Sequence, residues 1–198
     1  TEFFPEPEAW QVLEEAVIPA LVSDRAPSEA GVRVWTPGCA TGEESYSIAM
    51  LLLEQLGATQ RDSRVNVFAS DVDTQALRVA RAGAYAEAIC ATVPAARLTH
   101  FFEETDERYL VGKALREVVV FAPQDLVRDP PFSKLDLIIC RNLLIYFDPA
   151  QQSRILELFH FALNPGGVLF VGKSESLGAQ AELFEPISRA HRIFRRIG

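Results

Sequence analysis

Softer metal ligands are scarce in this chain, whose 198 residues include only three cysteines, one methionine and three histidines. Cys39, Cys90 and Cys140 are odd in number and far apart, with no C-x-x-C and no Cys/His ligand spacing. Neither a disulfide framework nor a metal site is expected, and the cysteine usage points to a cytoplasmic setting. Basic charge is short as well: 19 Lys and Arg stand against 27 Asp and Glu, a net charge of -8. That leaves no broad basic face for nucleic acid or an anionic membrane. No apolar run is long enough to cross a bilayer, and the opening Thr1-Glu2-Phe3-Phe4-Pro5-Glu6 lacks the basic, then apolar, order of a signal peptide. Small molecules and proteins remain as partners. The start lacks Met and begins abruptly, so a piece of a longer protein is expected.

What is present is the material of one globular domain, with 48% hydrophobic and 23% charged residues. Apolar runs alternate with helical stretches, an order that predicts a parallel sheet covered by helices on both faces. An amphipathic helix is expected over 6–21, then a polar linker at 23–28 and a first strand at 32–35. A second strand at 65–70 ends at Asp71-Val72-Asp73 and leads into a helix that stops at Gly83. Short helices are expected over 94–102, and strands at 109–111 and 118–121 are expected to form a hairpin turning near Gly112-Lys113. The run 135–140 is the clearest strand. Asp148-Pro149-Ala150-Gln151 has the N-cap, first-turn proline and capping glutamine of a helix start, and Asn164-Pro165-Gly166-Gly167 stops that helix. A strand at 168–171 and a final edge strand over 190–197 complete the pattern.

Two features carry chemistry on their own terms. The turn Gly38-Cys39-Ala40-Thr41-Gly42 follows the first strand and precedes a helix, where backbone N–H groups can approach a ligand. Its spacing is not the dinucleotide fingerprint, because Ala40 stands where a middle glycine would admit a pyrophosphate, so a phosphate-free ligand is favoured. Asp71, at the end of the second strand, is placed to accept hydrogen bonds from a ribose diol. The plainer role for Asp71 is to cap the following helix, which Asp73 could do equally well. The three histidines share no spacing and are read as packing or surface residues.

Three blocks, Cys39-Ala40-Thr41-Gly42-Glu43-Glu44-Ser45-Tyr46-Ser47, Phe68-Ala69-Ser70-Asp71-Val72-Asp73 and Cys140-Arg141-Asn142-Leu143-Leu144-Ile145-Tyr146-Phe147, resemble the signature blocks of the CheR family of chemotaxis methyltransferases. Asn164-Pro165-Gly166-Gly167 and Lys173-Ser174-Glu175-Ser176 extend the resemblance over nearly the whole chain, and the wording is closest to domains of large fused signalling proteins. It implies a Rossmann-like class I S-adenosylmethionine-dependent methyltransferase over 1–198, with a mostly parallel sheet and an antiparallel terminal strand. Residues 1–22 would be an opening helix from the junction to an absent N-terminal domain, and about 105–122 an inserted β-hairpin subdomain. The implied activity is methylation of glutamate side chains of a chemoreceptor-type protein, with S-adenosylhomocysteine as the other product.

Carried over by motif, the turn from Gly38 through Ala40 to Gly42 would wrap the methionine part of the cofactor, Glu44 would meet its ammonium group, and Thr1 is a further cofactor-binding candidate. Asp71 would hold the ribose, Asp125 and Leu126 would flank adenine, although the family has Asn before that Leu, and Arg141 and Asn142 would line the cleft. Tyr146 would sit beside the transferred methyl, its plainer role being a half-buried packing aromatic. One departure matters most: the family places an Arg after Thr-x-Phe-Phe, and here Pro5 stands there. An alternative reading is therefore a module that binds S-adenosylmethionine or S-adenosylhomocysteine for sensing, with little turnover. A nicotinamide dehydrogenase is the third reading, and Ala40 argues against it.

Overall fold

The computed structural model describes residues 1–23, 31–59 and 64–198. The linker expected at 23–28 lies, apart from Ser23, outside the described residues. The chain opens with α1 (Pro7–Val12) and α2 (Ile18–Ser23), followed by β1 (Val32–Pro37), α3 (Glu43–Thr59), β2 (Val65–Asp71) and α4 (Thr74–Ala82). Three short strands, β3 (Ala84–Ala86), β4 (Phe102–Thr105) and β5 (Arg108–Val111), come next, with α5 (Ala95–Phe101) between the first two. Then come α6 (Lys113–Arg116), β6 (Val119–Pro123), β7 (Leu135–Cys140), α7 (Pro149–Ala162), β8 (Leu163–Val171), β9 (Phe184–Ser188) and β10 (Ile193–Arg196).

The main sheet has the order β6-β2-β1-β7-β8-β10-β9. Its first five members run parallel, and β10 lies antiparallel to both β8 and β9. This is the expected α/β architecture. All six residues of β7 are buried, as a central parallel strand covered on both faces requires. Leu137 and Ile139 join one core with α1, α2 and α3, whereas Ile138 and Cys140 join a second core with Ile155, Leu156 and Phe159 of α7. The alternation along one strand thus places helices on both faces.

The predicted caps are present. Asp73 accepts from the N–H groups of Gln75 and Ala76 at the start of α4, Gly83 ends it with φ +61, and Asp148 forms a capping box with Gln151. Because Asp73 caps α4, Asp71 is free of that duty. The opening helix is broken by a π-type turn, Leu13–Val17, in which the Ile18 N–H bonds Leu13 O. Pro19 is the cause, since its ring would collide with the Glu15 carbonyl in a regular helix. Proline occupies the first helical position here as Pro7; Pro5 lies outside the helix.

Two local readings are corrected. β5 does not pair with β6: it turns back at Asp106-Glu107 onto β4, and β3 completes a three-stranded antiparallel sheet, while β6 is the parallel edge of the main sheet. The inserted β-structure therefore spans 84–111 rather than about 105–122. Val119 to Phe121 had the apolar character of either partner, and periodicity alone does not choose between them. Likewise the terminal strand is not the edge, because β9 covers its far side.

The segment before α1 pins the small sheet to the main body. Phe3 is fully buried and meets the rings of Tyr85 and Phe102 edge-on at 5.0 and 5.7 Å.

Candidate functional site

In an open α/β sheet the ligand crevice lies beyond the carboxyl ends of the strands, where the chain order reverses. Here the chain passes from β1 outward to β2 and β6, then crosses to β7 on the other side of β1. The turns after β1 and β7 thus flank the reversal. Every candidate except Thr1 follows or ends one of β1, β2, β6 and β7.

The turn after β1 is held by its neighbours. Asp71 accepts from the Ala40 N–H through one oxygen at 2.8 Å and from the Asp73 N–H through the other at 2.9 Å. The Tyr85 hydroxyl donates to Thr41 O at 2.6 Å, and the Thr41 hydroxyl donates to the Glu43 carboxylate at 2.6 Å. The Thr1 hydroxyl lies 3.1 Å from that of Thr41 and is left to donate to it. Gly38 has φ +66, and a Cβ there would come 2.8 Å from the Leu143 side chain, so the turns after β1 and β7 touch. Ala40 is itself left-handed at φ +48 with its N–H taken by Asp71.

Glu44, in the first turn of α3, accepts from Arg141 at 2.8 Å. Arg141 follows β7, has a side chain only 1% exposed, and also pairs with Glu6 at 2.9 Å. Its guanidinium lies 4.9 Å from the Phe170 ring centroid, and its buried Nε has no hydrogen-bond partner among the described residues. Burial pushes the Glu44 pKa up, and the Arg141 charge only partly offsets this. Glu6 holds its place with a left-handed backbone, φ 54, one residue before Pro7. Sequence reasoning brought Glu44 and Arg141 to the same cleft without seeing their ion pair, and it missed Glu6.

Asn142 has φ +57, and its N–H donates to the buried Glu175 carboxylate. Tyr146, in the short 3-10 turn Leu144–Tyr146, is 79% exposed. That exposure removes the half-buried packing role. After β6, one Asp125 oxygen accepts from the N–H groups of Val127 and Arg128, so this carboxylate shapes its own loop. Leu126 packs on the second core and lines a small cavity of about 70 Å³ against α7.

The cleft's donor set suits an amino acid joined to a sugar. Carboxylates at Glu44 and Asp71 can take an ammonium and hydroxyls, while the buried Arg141 guanidinium is committed to Glu6 and Glu44. Nothing in it resembles an activated thiol: burial raises the pKa of both Cys39 and Cys140 well above the ordinary thiol value.

The family model for the SAM-binding domain of CheR methyltransferases matches residues 1–193. Among curated relatives, a 104.1 kDa protein of Rhodobacter capsulatus, from the region 3′ of hypE, is 41% identical over all of this chain and 21% of its own length. The chemotaxis protein methyltransferase of Vibrio parahaemolyticus is 33% identical over 94% of this chain and 68% of its own. The chain thus spans about a fifth of the first relative. Among solved structures, a candidate O-methyltransferase of Nostoc punctiforme shares the fold, with a TM-score of 0.51 at 14% identity over 85% of this chain and 37% of that one. The chain belongs to the CheR methyltransferase family as its SAM-binding domain, and its cofactor is S-adenosylmethionine.

Proposed function

We propose that this domain transfers the methyl group of S-adenosylmethionine to glutamate side chains of a chemoreceptor-type protein. The observation that carries the reading is the meeting of the 38–42 turn, Asp71 and the Glu44–Arg141 pair at one crevice of a CheR-family domain, with Tyr146 exposed beside it. The names of the chemotaxis relatives support the substrate class. Asp71 would hold the ribose, Glu44 the ammonium, and Arg141 would line the cleft behind Glu44. Thr1 and the turn would wall the methionine part, Asn142 would line the cleft, and Asp125 and Leu126 would bound the adenine end.

When bound, the cofactor supplies an electrophilic sulfonium methyl. The residues need not make a nucleophile, since a glutamate carboxylate with a reference pKa of about 4.3 is ionised at neutral pH. Their task is to hold the acceptor oxygen in line with the methyl and to keep water out, with Tyr146 at the reacting end.

A second reading, a sensing module with little turnover, is favoured by Arg141 itself. Two carboxylates of its own chain engage it, and Pro5 supplies no replacement. Calorimetry with S-adenosylhomocysteine, and with NAD as control, tests the cofactor; transfer of a labelled methyl group to a receptor cytoplasmic fragment tests the activity. Saturable heat with S-adenosylhomocysteine alone, together with transfer, is expected. Binding without transfer would leave the sensing reading.

A further inference from the structure

Past the end of β7 the backbone raises three successive N–H groups, those of Asn142, Leu143 and Leu144. Such a run is a ready-made anion cradle, the device by which many folds bind phosphate. Here the chain fills it itself. Glu175, which lies in a turn just after β8 and is 2% exposed, places one oxygen 2.6 Å from Asn142 N and 2.8 Å from Gly172 N. Its other oxygen lies 3.1 Å from Leu143 N and 2.6 Å from Leu144 N. Each oxygen therefore accepts two bonds, which exhausts the good acceptor directions of the carboxylate.

We propose that Glu175 is a positioning residue for methyl transfer, acting by fixing the 141–146 turn so that Asn142 and Tyr146 face the cleft from one rigid support while Arg141 keeps its bond to Glu44. The inference rests on the methyltransferase reading above. Tyr146 is 79% exposed, so its side chain has little packing to hold it, and its backbone must set its place. That backbone is tied through Tyr146 N to Leu143 O and through Gln152 to the carbonyls of Leu144 and Phe147. The root of the turn is Asn142, left-handed at φ +57, a conformation that asparagine tolerates better than most residues with a side chain. The bond from its N–H to Glu175 holds it there. Gly172 permits this, since a Cβ there would lie 2.6 Å from the Glu175 oxygen and 2.9 Å from Asn142 N.

The test compares Glu175→Gln and Glu175→Asp with the wild type in the whole chain. Glutamine is the same size, but its NH2 group would face two N–H donors, so two of the four bonds must break. Aspartate keeps the acceptors one methylene short. With the folded fraction fixed by circular dichroism, Glu175→Gln is expected to cut the transfer rate per folded molecule by about a hundredfold, the scale of an ångström of misplacement. KM for the receptor fragment should change far less, and Glu175→Asp should recover part of the rate. A second arm needs no turnover. In nuclear magnetic resonance the backbone signals of Asn142, Leu143, Leu144 and Tyr146 should be sharp and unique in the wild type, and broadened or multiple in Glu175→Gln. Full rate per folded molecule in Glu175→Gln, or unchanged signals at those four residues, would overturn the proposal. A wild-type chain that binds no S-adenosylhomocysteine would instead sink the methyltransferase reading, while the four signals still report on the support.

Discussion

The turns after β1 and β7 lie side by side, Gly38 against Leu143, yet they are organised in opposite ways. The first is held by a carboxylate that is only half spent: Asp71, at the end of β2, gives one oxygen to Ala40 and the other to Asp73, and each keeps a further acceptor direction. The second surrounds its carboxylate completely, because all four bonds to Glu175 come from the chain. On the proposed function, one turn receives and the other holds still. Arg141 links them, leaving the second turn to grip Glu44 at the start of the helix that follows the first.

Removing that link should do the most damage. Arg141→Ala leaves Glu44 partly buried without its cation, and a loss of about 3–5 kcal/mol in urea unfolding is expected. A loss below about 1 kcal/mol, the worth of an exposed pair, would show that water replaces the guanidinium freely. Next comes the receiving turn. Asp71→Ala should weaken S-adenosylhomocysteine by about 1.5–3 kcal/mol in calorimetry. The matched Asp73→Ala should cost about 1 kcal/mol of stability through its lost cap and leave affinity alone. Equal affinities for the two variants would remove Asp71 from the ribose.

The raised pKa of Glu44 predicts pH trends of opposite sign. A carboxyl whose pKa is higher folded than unfolded contributes stability that is fully present below the unfolded value and lost as pH rises through the folded one. Ammonium binding needs the ionised form, so affinity should fall as pH drops through the same raised value, by up to about 1.4 kcal/mol per pH unit. Glu44→Gln should flatten both trends. A wild-type affinity independent of pH down to the ordinary carboxylate range would detach Glu44 from the ammonium. The smallest effect on binding or transfer is expected from Pro5→Arg. Pro5 lies outside α1, so the fold should survive, and a tenfold gain in transfer, about 1.4 kcal/mol, is expected if the added guanidinium reaches the acceptor. No gain would mean that another group orients it.

The receiving turn was legible in the sequence because its signals are local: a strand, two glycines, an acidic helix start, and Asp71 at the next strand end. The holding turn was legible only in part. Arg141, Asn142 and Tyr146 belong to one contiguous block, but the carboxylate that organises them sits 31 to 33 residues further on, and nothing local announces the contact. Glu6 escaped for the same reason, since its partner is Arg141 on the far side of the chain. The hairpin failed because partner choice is tertiary: β6 has the apolar face of a hairpin strand, but five parallel pairings with β2 claim it. β9 was missed because Phe184-Glu185-Pro186 carries a proline, which local rules count against a strand unless it lies at an edge.

The π-type turn at Leu13–Val17 makes the first helical segment one residue richer than a regular helix of the same span. Each helical residue advances the side-chain direction by about 100°. Ile18, whose N–H bonds Leu13 O, is thereby brought back to the face that carries Trp10 and Leu13, and Val17 and Val22 are buried with them. Removing one residue from this turn would re-phase everything upstream, swinging Phe3 away from Tyr85 and Glu6 away from Arg141 together. In this segment a single-residue deletion is thus a rotation rather than a shortening, and the shape of the cleft wall is tied to the count of residues before Pro19 more tightly than to their chemistry.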